Sequence, residues 1–247
     1  MKLYLSRLLL NQYSRRGMSE IMHPYEMHRT LMRAFPGPTD NARQEFGVLF
    51  RAESGEYGKP LKVYVQSLVE PDWSFLEDLG DYLYPSVHGI SYEYKDILEA
   101  YNNIQKGNRF AFRLRANPTK RIAKKDDPLR GKRVELNREE EQIAWLIRKS
   151  KERGENTPGG FELLRKHGIA CDAPNPEALR LTVHTESKVR GRKKTGPQGH
   201  YTIHLAVLFE GLLQVTDAEA FRNTLIYGIG SAKAFGFGLL SLAPANT

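Results

Sequence analysis

Residues 228–240 read GIGSAKAFGFGLL, and they connect a helix predicted over 218–227 to a last apolar strand predicted over 237–242. The glycines at 228, 230, 236 and 238 permit positive φ angles and a close approach of another chain. Lys233 adds a cation beside the backbone N–H groups of this loop, which suits a phosphate backbone. A helix, a loop and a strand also form the ending of a ferredoxin-like β-α-β-β-α-β unit.

The glycine loop differs from the common nucleotide-binding loops. It lacks the Gly-Lys-Ser/Thr ending of a Walker loop, and it follows a helix instead of opening one. These differences argue against a generic nucleotide-binding α+β enzyme. Two interpretations stay open, because a glycine-rich connection serves either as a contact for a phosphate backbone or simply as a tight, closely packed turn.

Apolar periodicity upstream of the loop repeats one pattern twice. For a first domain, residues 1–104, it predicts strands over 2–10, 46–51 and 61–67, a helix over 24–35 and a weaker helix over 73–83. For a second domain, residues 105–247, it predicts a strand over 109–115, a helix over 138–153, hairpin arms over 178–183 and 203–209, and the final helix, capped by Thr216 or Asp217. The predicted fold class is α+β, with two tandem ferredoxin-like (RRM-like) domains, each a four-stranded antiparallel sheet with two helices.

Charge is distributed unevenly along the 247 residues. The chain holds 37 Lys and Arg against 29 Asp and Glu, a net +8, of which residues 1–104 carry −3 and the remainder +11. Two stretches concentrate the excess, residues 109–133 and the predicted hairpin tip 188–194. Nucleic acid is the natural partner for such a surface, although a basic stretch can also be only a solvated loop. No basic amphipathic helix accompanies the two stretches, so a membrane partner is not expected.

Composition also limits the cofactors and the compartment. A single cysteine, Cys171, excludes an internal disulfide and a thiolate metal cluster, and the seven histidines show no zinc-binding spacing. We therefore expect neither a metal nor a cofactor. No apolar run is long enough to span a membrane, and the first ten residues alternate like a strand with Arg7 inside, unlike a secretory signal. A cytoplasmic location is expected.

The helix predicted over 24–35 carries the candidate chemistry. Pro24 suits its first turn, and a buried stripe is predicted at Met27, Leu31, Ala34 and Phe35. Tyr25 and His28, three residues apart, share a different face, so a phenol and an imidazole that titrates near neutrality can meet there. Arg29 and Arg33 add permanent cations near any anionic ligand. A single histidine on a helix is also commonly an ordinary surface residue.

Five blocks of sequence resemble CasE, the repeat-processing endoribonuclease family of type I-E CRISPR systems. The blocks occur in the family's order and are LYLSR at 3–7, PYEMHRTL at 24–31, FRLRANP at 112–118, QIAWL at 142–146, and GIGSAK at 228–233 continuing to GFGLLSLAP at 236–244. The resemblance implies tandem ferredoxin-like domains, binding of a repeat RNA hairpin, metal-independent cleavage at the hairpin's 3′ side, retention of the CRISPR RNA (crRNA) and assembly with the other subunits of Cascade.

The resemblance also suggests roles for individual residues. His28 matches the family's catalytic histidine, Tyr25 its partner tyrosine, and Arg33 a position where some members have a basic residue. From the basic stretches, the helix and the glycine loop, we predict the RNA-binding residues Arg29, Arg113, Arg115, Lys120, Arg121, Lys188, Arg190, Arg192, Lys193, Lys194, Gly230 and Lys233. The alternative function is a crRNA-binding subunit of a surveillance complex that does not cut, in which His28 would be dispensable.

Overall fold

The computed structural model describes residues 1–37, 45–53, 56–85, 90–122, 131–151, 159–166, 178–193 and 200–245, with only the backbone at 192, 193, 200 and 201. The chain divides into two compact units. The first comprises Met1–Asn103, Val189–Thr202 and Lys233–Leu239, and the second comprises Ile104–Lys188, Ile203–Ala232 and Leu240–Thr247. Two short segments that follow residue 188 therefore belong to the first unit, whereas the sequence predicts one continuous domain from residue 105 onward.

The first unit contains a four-stranded antiparallel sheet in the order β2-β3-β1-β4. Its strands are β1 (Tyr4–Leu10), β2 (Leu49–Glu53), β3 (Leu61–Ser67) and β4 (Tyr92–Asp96). Its helices are α1 (Arg15–Met22), α2 (Pro24–Leu31) and α3 (Leu98–Asn102), with 3-10 turns at Met32–Ala34 and Ser74–Leu79. This strand order is that of a ferredoxin-like unit, in which the first and third strands are central.

One face of this sheet packs against α2. Leu8 and Leu10 of β1 alternate inward and are buried, as are Met27 and Leu31 of α2 and Trp73 of the loop after β3. The indole of Trp73 donates to the Ser6 hydroxyl at 3.0 Å, which satisfies a buried polar atom of the central strand. The predicted apolar stripe of α2 is thus the face that fixes the helix on the sheet.

The second unit contains a five-stranded antiparallel sheet. Its strands are β5 (Arg109–Ala116), β8 (Phe161–Leu163), β9 (Leu181–Thr185), β12 (Val207–Val215) and β13 (Leu240–Pro244). The order is β13-β5-β12-β8, and β9 pairs with the other half of β12, where Gly211 leaves room for the carbonyl of Arg180. Its helices are α4 (Glu139–Lys151) and α5 (Ala218–Tyr227).

Two short hairpins complete the strands. One pairs β6 (Thr119–Arg121) with β7 (Arg133–Glu135), and the other pairs β10 (Val189–Lys193) with β11 (His200–His204). The basic stretch 188–194 was predicted as a hairpin tip, but residues 189–193 form the strand β10. Residue 194 lies outside the described residues.

The predicted α+β class and ferredoxin-like fold are confirmed. The second sheet has five strands and not the predicted four, because β8 and β9 pair with different halves of β12. Asp217 caps α5, its carboxylate accepting from Ala220 N–H at 3.0 Å, and the predicted arms pair through Val183 and Phe209. The predicted weak helix at 73–83 is only the short 3-10 turn, and the last strand begins at Leu240 because Gly238 has a φ of 94°. The strand β4 escapes prediction since none of its residues is buried.

Membrane crossing has no support in the helices of the structure. Among the described residues, none of the helices combines the length and apolar character needed to span a bilayer.

Candidate active site and nucleic-acid interface

Helix α2 brings Tyr25 and His28 together. Pro24 occupies its first turn, and burial of Met27 and Leu31 leaves Tyr25 and His28, three residues apart, half-buried on a neighbouring face. The ring centres of Tyr25 and His28 are 6.3 Å apart, with the planes inclined by 46°. A phenol O–H and an imidazole, which can give or take a proton near neutral pH, are therefore presented side by side.

Two phenylalanines hold these rings. Phe235, which is 1% exposed, stacks on Tyr25 with ring centres 5.4 Å apart and planes inclined by 29°. Phe50 of β2, equally buried, lies nearly parallel to His28, with centres 6.2 Å apart and planes inclined by 6°. Each ring of the candidate pair thus has an apolar neighbour that limits its rotation.

The buried carboxylate of Glu20 anchors α2 to α1 through Thr30. Glu20 of α1 accepts from the Thr30 hydroxyl of α2 at 2.8 Å and from the Tyr82 hydroxyl at 2.6 Å. The Arg16 side chain donates to the same carboxylate at 2.9 Å and balances its charge. Burial, and then the neighbouring Glu20 charge, raise the pKa of Tyr82, so its phenol remains a donor. Sequence reasoning did not find this network, because no local pattern links Glu20, Thr30 and Tyr82.

Replacement of Glu20 by alanine is expected to lower the free energy of unfolding by about 2–4 kcal/mol, since the buried hydroxyls of Thr30 and Tyr82 would each lose a charged acceptor. Urea unfolding monitored by circular dichroism measures the change. Glu26→Ala is the matched control: Glu26 pairs with Arg29 at 2.8 Å on the exposed surface of α2, a type of pair worth about 0–1 kcal/mol. Equal effects of the two substitutions would contradict the anchoring role of Glu20.

Among the predicted cations of the first unit, four have described side chains: Arg29, Arg33, Arg190 and Lys233. Arg29 is exposed and forms the ion pair with Glu26. Arg33 is also exposed, in the 3-10 turn after α2, with its guanidinium carbon 4.4 Å from the ring centre of Phe75. Arg190 is exposed on β10, and Lys233 is half-buried in a short 3-10 turn, Lys233–Phe235. The segments that carry Arg190 and Lys233 both contact α2.

The predicted cations of the second unit are mostly paired with carboxylates. The ion pairs are Arg113–Glu210 at 2.7 Å, Arg115–Glu186 at 2.7 Å, Lys120–Glu141 at 3.0 Å and Lys188–Glu135 at 2.6 Å. Arg121 is exposed on β6. A polyanion that binds this unit therefore competes with carboxylates for the same donors. In the range assigned to the first unit, Arg192 and Lys193 are described by their backbone alone, and Lys194 lies outside the described residues.

The glycine loop has positive φ angles at all four predicted positions: 73° at 228, 86° at 230, 76° at 236 and 94° at 238. At Gly230 a Cβ atom would lie 3.1 Å from the Trp145 ring, and at Gly236 it would lie 3.2 Å from the Phe50 ring. Phe235 and Phe237 are buried. Close packing therefore accounts for these two glycines, and phosphate contact by the loop stays a prediction.

The described residues offer no candidate metal site. Within the described part of the chain, no three His, Cys, Asp or Glu side chains converge as a possible ion site. That the reaction needs no metal ion stays a prediction.

A family model described as "CRISPR associated protein" matches residues 3–244. The chain belongs to this family. Among the family's characterised members, the CRISPR-associated endoribonuclease Cse3 of Thermus thermophilus is 37% identical over 98% of this chain and 100% of its own length. The Cascade subunit CasE of Escherichia coli is 29% identical, with the same two coverages. The resemblance of the five sequence blocks to the CasE family is thereby confirmed.

A solved structure of this family matches both units. Thermus thermophilus Cse3, bound to an RNA that represents a pre-cleavage complex, aligns with a TM-score of 0.70 and 35% identity over 99% of this chain and 100% of that chain. The RNA of that complex belongs to the Thermus protein. The agreement in fold extends over the whole length of both chains.

Proposed function

We propose that this protein is a metal-independent endoribonuclease that binds the stem-loop of a CRISPR repeat and cleaves the precursor RNA at the 3′ side of the hairpin. The observation that carries the proposal is the Tyr25–His28 pair on α2, in a chain 37% identical to a CRISPR-associated endoribonuclease. The pair supplies proton-transfer groups, and the family membership supplies the class of substrate.

RNA itself provides the nucleophile for this reaction. The 2′-oxygen before the scissile bond attacks the adjacent phosphorus, the P–O5′ bond breaks, and the proton lost by the 2′-hydroxyl is balanced by one gained at the leaving 5′-oxygen. The products are a 2′,3′-cyclic phosphate and a 5′-hydroxyl. The protein has to move protons and stabilise charge, and it does not need to supply a nucleophile.

Proton transfer falls to the two rings on α2. His28 acts as the general acid or base, because an imidazole can either give or accept a proton, and Tyr25 donates a hydrogen bond to the same centre. Arg33 and Arg29 are exposed on the same segment and offset the negative charge that develops on the phosphorane-like transition state. Their permanent charge suits this role, since guanidinium stays protonated at every working pH.

The basic residues outside α2 hold the RNA stem. An A-form duplex is recognised mostly through its phosphates and 2′-hydroxyls, which cations on strands and loops can reach. In the second unit these cations are Arg113, Arg115, Lys120, Arg121 and Lys188, and the chain adds the cations Arg190, Arg192, Lys193, Lys194 and Lys233. Gly230 contributes its backbone N–H. The carboxylates paired with four of these cations orient them in the absence of RNA.

Product retention follows from the same surface. The protein keeps the mature crRNA in the cytoplasm, and it joins other Cascade subunits, as the name of the Escherichia coli relative, a Cascade subunit, suggests. A subunit that held the crRNA without cutting would need the same basic surface. Only a cleavage experiment separates the two functions.

Cleavage of an end-labelled repeat hairpin from the same CRISPR locus, in the presence of EDTA, tests the proposal. We expect one cut at the 3′ base of the stem, with a 2′,3′-cyclic phosphate on the upstream fragment, because chelation leaves a metal-free reaction intact. Mass spectrometry identifies the end, since a cyclic phosphate is one water lighter than a 3′-phosphate. Tight binding without cutting would favour the alternative function, a subunit that binds crRNA without cleaving it. Cutting that stops in EDTA would contradict the metal-independent mechanism.

A further inference from the structure

We propose that Phe235, seated against Gly191, is a positioning residue that couples strand β10 to the orientation of Tyr25. The inference rests on the proposed function and extends it. It assigns to the glycine loop a role in orienting Tyr25 and His28. It also connects that orientation to β10, which carries predicted RNA-binding cations.

The first contact that couples β10 to the candidate pair is between Phe235 and Tyr25. The ring of Phe235 is 1% exposed, whereas Tyr25 is only half-buried, so the phenylalanine is the fixed member of the stacked pair. Offset stacking at a centre-to-centre distance of 5.4 Å limits how far the Tyr25 ring can turn toward or away from His28.

The second contact is between Phe235 and Gly191 of β10. A Cβ atom built on Gly191 would collide with the Phe235 ring, meeting Cε1 first and then Cζ at 3.1 Å. Gly191 lies in a regular strand and is absent from the glycines with positive φ, so its backbone accepts other residues. Glycine is needed here for the space that Phe235 occupies.

Neighbouring residues extend the same arrangement to both sides. Successive strand side chains point to opposite faces, so Arg190, which is exposed, faces away from the side on which Phe235 packs. A shift of β10 when RNA binds would therefore reach Tyr25 through Phe235. Gly236, the next residue of the loop, contacts Phe50, which stacks on His28.

Two substitutions and their combination test the contact. Gly191→Ala pushes the Phe235 ring and Phe235→Leu removes the stack, and each is expected to lower the single-turnover cleavage rate on the order of 10- to 100-fold, because small misplacements of reacting groups are costly. Binding of an uncleavable 2′-deoxy hairpin should change by less than about threefold, since neither residue is among those predicted to bind phosphate. Gly37→Ala is the control, because a Cβ there meets nothing within 4 Å.

The double variant distinguishes positioning from a general loss of structure. Leucine lacks the ring atoms that a methyl group introduced at position 191 would strike, so Gly191→Ala combined with Phe235→Leu should be no slower than Phe235→Leu alone. Rate losses that multiply in the double variant, or equal losses of rate and RNA affinity, would overturn the proposal. If Gly191→Ala does not fold, Phe235→Leu alone decides the test: a lower cleavage rate with unchanged RNA affinity supports positioning, and equal losses of both contradict it.

A spectroscopic measurement tests the same contact without catalysis. The ring proton resonances of Tyr25, assigned by comparison with Tyr25→Phe, should move in both Gly191→Ala and Phe235→Leu and stay in place in Gly37→Ala. Unmoved resonances would overturn the coupling whether or not the protein cuts RNA. Moved resonances in a protein that binds the hairpin without cutting would support the contact and count against the proposed function alone.

Discussion

Replacement of His28 by alanine is expected to lower the single-turnover cleavage rate by about 10²–10⁴-fold, the usual contribution of one general acid or base. His28 is half-buried on α2 and its ring is held by Phe50, so its orientation is set before RNA binds. Alanine is the best helix former, and the helix should persist in the variant. Rapid mixing of excess protein with labelled hairpin in EDTA measures the rate directly.

The interpretation of that result depends on two controls. RNA affinity should be retained in His28→Ala, because the phosphate contacts are assigned to other residues. His184→Ala removes an exposed histidine of β9 in the second unit and should cut at the parent rate. Undiminished cutting by His28→Ala would show that the reaction occurs but that another residue catalyses it.

A single 2′-deoxy nucleotide before the scissile phosphate should abolish cleavage to the limit of detection. The substitution removes the attacking oxygen itself, and no residue of the proposed mechanism replaces it. The hairpin should still bind, since one 2′-hydroxyl among many contacts is a small part of the recognition of an A-form stem. Gel electrophoresis of the labelled RNA measures cutting, and filter binding measures affinity.

Moving the 2′-deoxy position by one nucleotide provides the matched control, and that RNA should be cut normally. Cleavage of the hairpin that lacks the 2′-hydroxyl at the cut site would show that water or another external nucleophile attacks. The proposed transesterification would then be wrong, although the assignment of the repeat hairpin as substrate would stand.

Features governed by short-range periodicity could be predicted from the sequence. The spacing of Met27 and Leu31 placed the buried face of α2, and with it the common face of Tyr25 and His28. The limits of β3 and α5 agree with the predicted ones, because alternation and an Asp217 cap are local signals. The exposed strand β4 gave no such signal, since a strand without buried residues has no apolar alternation.

The chain by itself therefore determined the α+β ferredoxin-like fold class, the basic character of the second half and the placement of the Tyr25–His28 pair on one face of α2. The tertiary structure decided what holds that pair. Phe50, Phe235 and Gly191 are far apart along the chain, and their contacts depend on three-dimensional packing that no local pattern encodes. The same reason explains the Glu20 anchor and the ion pairs of Arg113, Arg115, Lys120 and Lys188: a charge can be counted in a sequence, but its partner is chosen by the fold.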